Sequence, residues 1–223
     1  MTGGIVQSQT PVTLLGAGDA GAALVRDALA TAPLLVAADG GANKARALGL
    51  RPAAVIGDMD SVLPATRQSM ADVPFHHVAE QDSTDFEKAL TRIGAPFVLA
   101  VGFTGARVDH ALAVWNALVR HPDRRCVVLG ARDIVFLSPR RIALDLAAGT
   151  RLSLFPMGPV RGRSRGLVWP IDGIGFASDG AIGTSNQATG PVELEFDAAR
   201  MLAILPRRTF ARVLPALKSA WGG

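Results

Sequence analysis

Two carboxylates set two residues apart open the chemical reading of this chain. In Ile56-Gly57-Asp58-Met59-Asp60-Ser61 an extended backbone would send Asp58 and Asp60 to the same side. Like charges that close repel unless a proton or cation lies between them, and Mg²⁺ takes such oxygen donors alongside phosphates. A solvated turn with one Asp capping the next helix accounts for the pair equally well. A second cluster is Gln81-Asp82-Ser83-Thr84-Asp85-Phe86-Glu87-Lys88. Thr84 and Glu87 have the spacing of a capping box, a purely structural role. Asp82, Asp85 and Lys88 remain, and Lys88 could meet a phosphate as a point charge. In Asp39-Gly40-Gly41-Ala42-Asn43 the glycines allow close approach of backbone to a ligand, and Asp39 could accept from a hydroxyl or hold a cation. An ordinary Asp-Gly turn explains that segment too. A fourth segment, Gly102-Phe103-Thr104-Gly105-Ala106-Arg107-Val108-Asp109-His110, joins free backbone N–H groups to a guanidinium that can fork onto a phosphate. Asp109 is useful there where it holds a metal, and His110 has a supporting role.

The elements around these residues give them a common address. Short apolar runs at 12–15, 34–38, 53–56, 75–78, 97–101 and 127–129 alternate with helical patterns at 20–30, 42–48, 64–71, 84–93 and 108–120. Strands apolar on both faces, alternating with helices, predict a parallel sheet covered on both sides. Each chemical cluster follows the carboxyl end of a strand, the edge at which open parallel sheets bind ligands. After about residue 135 strand-like runs at 142–146, 151–155, 166–169, 191–196 and 201–205 are separated by Gly, Pro, Ser and Asp, which predicts a small antiparallel β-domain. The expected boundary is near Ser138-Pro139, giving domains 1–138 and 139–223. The tail from Arg207 is amphipathic at best and carries no assigned role.

Composition excludes several classes. The 223 residues are 49% hydrophobic and 19% charged, which rules out bulk disorder. A net charge of +4 suits a phosphate-bearing ligand but is too small and scattered to argue for nucleic acid. One cysteine, Cys126, excludes a disulfide framework, and its apolar surroundings read as a small buried hydrophobe. Met1 to Pro11 lacks a basic stretch followed by an apolar one, and no apolar run approaches the roughly 20 residues that span a bilayer. The expectation is a soluble cytoplasmic protein without membrane partners.

Taken together, Asp39-Gly40-Gly41, Gly57-Asp58-Met59-Asp60-Ser61, Gln81 to Asp85 with Lys88, Gly105 to His110 and Gly183-Thr184-Ser185-Asn186-Gln187 resemble, in order and spacing, the motifs of the thiamine pyrophosphokinase family. The resemblance runs from about residue 12 to about 205. It implies a Rossmann-like nucleotide domain joined to a β-sandwich, a homodimer, and thiamine held between the first domain of one subunit and the second of the other. It also implies transfer of diphosphate from ATP to the hydroxyl of thiamine, with AMP as the second product. On that resemblance Asp58, Asp60 and Asp85 coordinate Mg²⁺, with Asp109 in the same acidic cluster. Asp39, Gly40, Gly41, Lys88 and Arg107 serve the nucleotide, Gln81 lies at the nucleotide or thiamine site, and Ser185 with Asn186 lines the thiamine pocket. The chain has no tyrosine, and Trp169 is the aromatic assigned to stack on thiamine. It departs from the family pattern at Ala106 and at Gln187, where a glycine and a glutamate are usual.

Three other readings stand beside this one. Gly16-Ala17-Gly18-Asp19-Ala20-Gly21 is a G-x-G-x-x-G after a strand, with Asp39 at about the spacing of a ribose-binding acid, as in a Rossmann oxidoreductase using NAD(P). That reading leaves the later acidic clusters without a task. Arg161-Gly162-Arg163-Ser164-Arg165-Gly166 could be a nucleic-acid patch, but it lacks aromatic platforms and reads as a solvated turn. A diphosphokinase acting on another alcohol, such as a hydroxymethylpterin, would share the whole acidic edge.

Overall fold

The computed structural model describes residues 4–105 and 107–222, so Ala106 lies outside the described residues. The chain forms two compact units that divide between residues 131 and 132.

The first unit runs in chain order through β1 (Val6–Gln7), β2 (Val12–Leu15), α1 (Ala22–Thr31), β3 (Leu34–Ala38), α2 (Gly41–Ala47), β4 (Ala54–Gly57), α3 (Pro64–Ser69), β5 (Phe75–His77), α4 (Asp85–Thr91), β6 (Ile93–Gly94), β7 (Val98–Val101), α5 (Val108–Arg120) and β8 (Cys126–Leu129). Six of these strands pair in parallel in the order β5-β4-β3-β2-β7-β8. Val12, Leu14, Val55, Ile56, Leu99, Val101, Val127 and Val128 are wholly buried, as strands covered on both faces require. Each such side chain contributes roughly 1.5–3 kcal/mol on leaving water. Cys126 is among the buried residues, and burial pushes its thiol well above its ordinary range.

The chain proceeds outward from β2 through β3 and β4 to β5, then returns to the far side of β2 for β7 and β8. The loops after β2 and β7 therefore leave the sheet side by side, at its topological switch point. The Gly18 amide donates to the Gly102 carbonyl at 2.7 Å, and the Asp19 amide to the Thr104 carbonyl at 3.2 Å. Two glycines are demanded by this closeness. A Cβ on Gly102, whose φ is +79°, would meet the Gly16 carbonyl oxygen at 2.6 Å, and one on Gly41 would meet the Leu15 carbonyl oxygen at 2.0 Å. Gly41 thus lets α2 start directly against the end of β2.

The second unit contains β9 (Asp133–Leu137), β10 (Arg141–Leu144), β11 (Arg151–Pro156), β12 (Val160–Leu167), β13 (Gly175–Phe176), β14 (Gly183–Phe196), β15 (Met201–Pro206) and α6 (Phe210–Gly222). All its named strand pairings are antiparallel. The first part of β14 pairs with β11, its second part with β10, and β12 also pairs along it, so one long strand serves three partners. Asp133–Leu137 belongs with this unit because it pairs with β15, which puts the division ahead of Ser138-Pro139.

One expectation is corrected here, and the amphipathic tail takes a definite form. The arginine-rich segment is not a solvated turn: Arg161 to Arg165 lie within β12, with Arg163 opposite Glu195 and Arg165 opposite Glu193 on β14. Arginines alternate with Gly162 and Ser164, which is the period of a strand, and cross-strand glutamates supply the opposite charge. The tail is helical over Phe210–Gly222, with Val213, Leu214 and Leu217 buried on one face. No helix among the described residues is long and apolar enough to cross a membrane.

The crowding at Gly41 gives a direct test. Gly41→Ala should lower the urea midpoint by the equivalent of about 3 kcal/mol or more, because backbone must move. Gly175→Ala, whose new methyl meets nothing within 4 Å, should stay within about 0.5 kcal/mol of the parent.

Candidate active site

A cavity of about 380 Å³ opens over the switch point of the first unit. The Gly16–Gly18 and Gly102–Thr104 loops form one wall, Asp39, Gly40, Asp58 and Ser61 a second, and Gln81, Asp85 and Lys88 a third. Arg107 and His110 line it from the start of α5, and Phe103, Phe86 and Val114 give it an apolar end. Phe86 and Phe103 meet edge to face with ring centres 4.9 Å apart.

Asp39, Asp58 and Asp60 each offer a carboxylate oxygen, and those oxygens lie within 4.8 Å of one another. They meet by a different route from the alternation expected of an extended strand. Met59, between the two acids, has φ +68°, and Asp39 has φ +40°, so both loops turn through the left-handed region. A non-glycine residue there costs on the order of 1 kcal/mol, which surrounding contacts must offset. Within the loop the Asp60 amide donates to Asp58 Oδ1 at 3.4 Å and the Ser61 hydroxyl to Asp60 Oδ1 at 2.8 Å.

Lys88 is buried beneath this cluster, at 2% exposure. Its Nζ donates to Asp58 Oδ2 at 2.8 Å and stands 3.8 Å from Asp85 Oδ1. Burial works against the lysine's charge, but the Asp58 hydrogen bond and the nearby Asp58, Asp85 and Glu80 charges outweigh it and raise its pKa. The same hydrogen bond is the main cause holding Asp58 below its usual range. Asp85 goes the other way, to about 6, first because it is half-buried and then because Asp39 and Asp58 repel its charge. Burial likewise raises Asp39. Four carboxylates therefore lie near one another with one buried ammonium, bonded to Asp58, among them, and Oδ1 of both Asp39 and Asp85 is buried without a hydrogen-bond partner. Orphaned hard oxygen donors around a polar cavity fit a divalent cation such as Mg²⁺.

Arg107 and Asp109 form an exposed ion pair, with Nε donating to Oδ1 at 3.1 Å, and this arginine holds the Asp109 carboxyl down at about 2. Asp109 is not among the residues lining the cavity, whereas Arg107 is. The capping box expected at Thr84 and Glu87 does not form. Thr84 makes no side-chain cap hydrogen bond, and Glu87 instead receives Arg120 at 2.8 Å and His121 at 2.7 Å from the end of α5. The charge of Arg120 and the reach of both side chains explain the preference over a cap.

The remaining candidates lie in the second unit. Ser185 is exposed, has φ +62° and donates its amide to Ser153 Oγ at 3.0 Å. Asn186 is buried, and its side chain bonds backbone at both ends: Nδ2 donates to the Trp169 carbonyl at 2.7 Å, while Oδ1 accepts the Trp169 and Gln187 amides at 3.2 and 2.9 Å. It fixes the turn that presents Trp169, a residue 57% exposed.

Residues 25–129 match the family model described as the thiamin pyrophosphokinase catalytic domain. Over those residues this chain is similar to the thiamine pyrophosphokinases. Among curated proteins, thiamine pyrophosphokinase 1 of Oryza sativa subsp. japonica is 29% identical over 189 residues, covering 70% of this chain and 72% of that one. Its counterpart named thiamine pyrophosphokinase 1 in Arabidopsis thaliana is 28% identical over 189 residues, with 70% and 71% covered. Thiamin pyrophosphokinase from Candida albicans shares the fold, with a TM-score of 0.73 at 15% identity over 90% of this chain and 92% of that one. The oxidoreductase reading is not favoured by these relatives, and the close packing of Gly16 and Gly18 on Gly102 supplies a structural reason for those glycines.

Sequence reasoning missed Phe103 and Phe86, which line the cavity, and Asn43, which lies outside it and bonds the neighbouring loop. The chain signal was present for Asn43, which stands inside the Asp39 motif, but its partners are about twenty residues away and could not be read from spacing.

The raised Asp85 makes a prediction about stability. A carboxyl whose folded pKa of about 6 exceeds its unfolded value near 3.8 stabilises the fold below pH 3.8 and loses that contribution as pH rises through 6. At pH 7.5 without metal, Asp85→Asn should therefore raise stability by on the order of 1 kcal/mol, allowing for solvent screening. Urea denaturation should show the gain shrinking to nothing by about pH 4.

Proposed function

We propose that this chain transfers diphosphate from ATP to the hydroxyl of thiamine, giving thiamine diphosphate and AMP. The observation that carries the reading is the under-neutralised group of Asp39, Asp58, Asp60 and Asp85 at the switch point of the parallel sheet, beside glycine-rich loops. On this reading the first unit is a Rossmann-like nucleotide domain and the second a β-sandwich that serves thiamine. The protein works as a cytoplasmic homodimer.

In the reaction the thiamine oxygen bonds to the β-phosphorus as the bridging bond to the α-phosphate breaks, and AMP leaves with the bridging oxygen. Negative charge spreads over the phosphoryl oxygens, so alignment and cation placement dominate catalysis. Mg²⁺ held by Asp58, Asp60 and Asp85 would supply charge neutralisation at the phosphates. Arg107, exchanging Asp109 for phosphate, adds a two-pronged contact. Lys88 meets carboxylates in this structure, so its part is to hold Asp58 ionised and placed, with a phosphate contact requiring Nζ to leave Asp58. Asp39, Gly40 and Gly41 serve the nucleotide, and Gln81 the cavity's open edge. A carboxylate of the cluster accepts the hydroxyl proton. In the second unit Ser185 offers its hydroxyl to thiamine, and Asn186 acts through the Trp169 turn it holds.

Incubating the purified protein with ATP, Mg²⁺ and thiamine should give thiamine diphosphate and AMP in equal amounts. AMP formed only with a different alcohol would keep the chemistry and change the acceptor, and no AMP with any alcohol from folded protein would refute diphosphate transfer. Asp60→Asn should reduce turnover at least 10³-fold, on the scale of roughly 4 kcal/mol for a lost electrostatic partner, with an unchanged circular dichroism spectrum.

A further inference from the structure

We infer that Asn43 is a positioning residue that fixes the spacing of the acidic cluster by pinning the Asp58–Ser61 loop to α2. The inference rests on the metal-dependent reading above. The loop between β4 and α3 carries two of the cluster's carboxylates; its side chains make local hydrogen bonds and, at Asp58, one to Lys88 of α4. Among the described residues its backbone is tied to another element at two points, and Asn43 makes both. Nδ2 donates to the Ser61 carbonyl at 2.7 Å, and Oδ1 accepts the Leu63 amide at 3.0 Å. A planar amide gripping one acceptor and one donor fixes orientation as well as distance.

Asn43 does not line the cavity, so it is not placed to touch a ligand. What it controls is where Asp58 and Asp60 stand relative to Asp39. Its own amide donates to the Gly40 carbonyl at 3.1 Å, next to Asp39, and α2 is seated on β2 at Gly41. The clamp thus runs from the sheet through α2 to the loop. It works against the mutual repulsion of the carboxylates and the left-handed turn at Met59, both of which favour the loop swinging outward. Outer partners that orient metal-ligating groups typically change metal affinity 10–100-fold when removed.

The test is a Mn²⁺ titration of the nucleotide-free protein followed by electron paramagnetic resonance, with thermal melts alongside. Asn43→Ala should weaken Mn²⁺ binding about tenfold or more. In turnover it should raise the Mg²⁺ needed for half-maximal rate by a similar factor, while kcat at saturating Mg²⁺ stays within about threefold. In an Asp60→Asn background the same substitution should add little, because both act through one loop. A folded Asn43→Ala protein with wild-type Mn²⁺ affinity overturns the inference and leaves Asn43 a plain structural staple. Where Asn43→Ala does not fold, Leu63→Pro decides, since Leu63 has φ −64°, which proline adopts, and its amide donor to Oδ1 is removed. Unchanged affinity there overturns it equally. Wild-type protein that binds no Mn²⁺ at millimolar concentration removes the metal reading and the inference together, whereas wild-type binding with an unaffected variant removes the inference alone.

Discussion

Four carboxylates lying near one another, with one buried ammonium bonded to Asp58 among them, are the constraint to which the first unit is organised. Lys88 is the cation buried in the group, and it lowers one partner, Asp58, while Asp85 and Asp39 are pushed upward by burial and by their neighbours. An arrangement of this kind is held against its own electrostatics. It persists because the parallel strands beneath are buried on both faces and the loops are pinned where they leave the sheet. Cation binding would relieve the excess charge, so the stability given up without ligand is regained as affinity.

The same logic explains the glycines. At the switch point two loops and the start of α2 converge within van der Waals distance, and the backbone itself fills the space that side chains occupy elsewhere. A G-x-G-x-x-G is commonly taken as a sign of pyrophosphate binding, but here Gly16 and Gly18 are first of all compatible with Gly102. The amides of Gly16, Gly18 and Asp19 are spent on the carbonyls of Val101, Gly102 and Thr104, so packing by itself accounts for these glycines.

The layered order of strands and helices was legible because burial on both faces leaves unbroken apolar runs, and α5 falls on Val108–Arg120 as its periodicity requires. The acidic clusters were legible as residues at strand ends. Their mutual geometry was not. Asp58 and Asp60 come together through a left-handed Met59, which no local pattern signals. Glu87 was drawn away from the cap by Arg120 and His121, more than thirty positions along, and such long-range charge pairing is invisible to spacing. The arginine-rich strand was misread because charge was weighed before period. Its alternation with Gly162 and Ser164 already described a strand, and only the glutamates of β14 showed what the arginines face.

A motif mixes two kinds of residue that sequence alone cannot separate. Some face the cavity, as Asp39 and Asp58 do. Others spend every polar atom on the chain itself. Asn186 uses its whole amide on the backbone of Trp169 and Gln187, and Asn43 uses its amide on Ser61 and Leu63. Both asparagines stand within motifs whose neighbours invite a ligand role, and both hold the turn that presents another residue. The discriminating quantity is hydrogen-bond saturation. A planar amide bonded to backbone at both ends has less left for a substrate, whereas a buried carboxylate oxygen with no hydrogen-bond partner, as in Asp39 and Asp85, has a desolvation cost that a ligand would help to offset. Sorting motif residues by that criterion turns a shared pattern into separate roles for binding and for support.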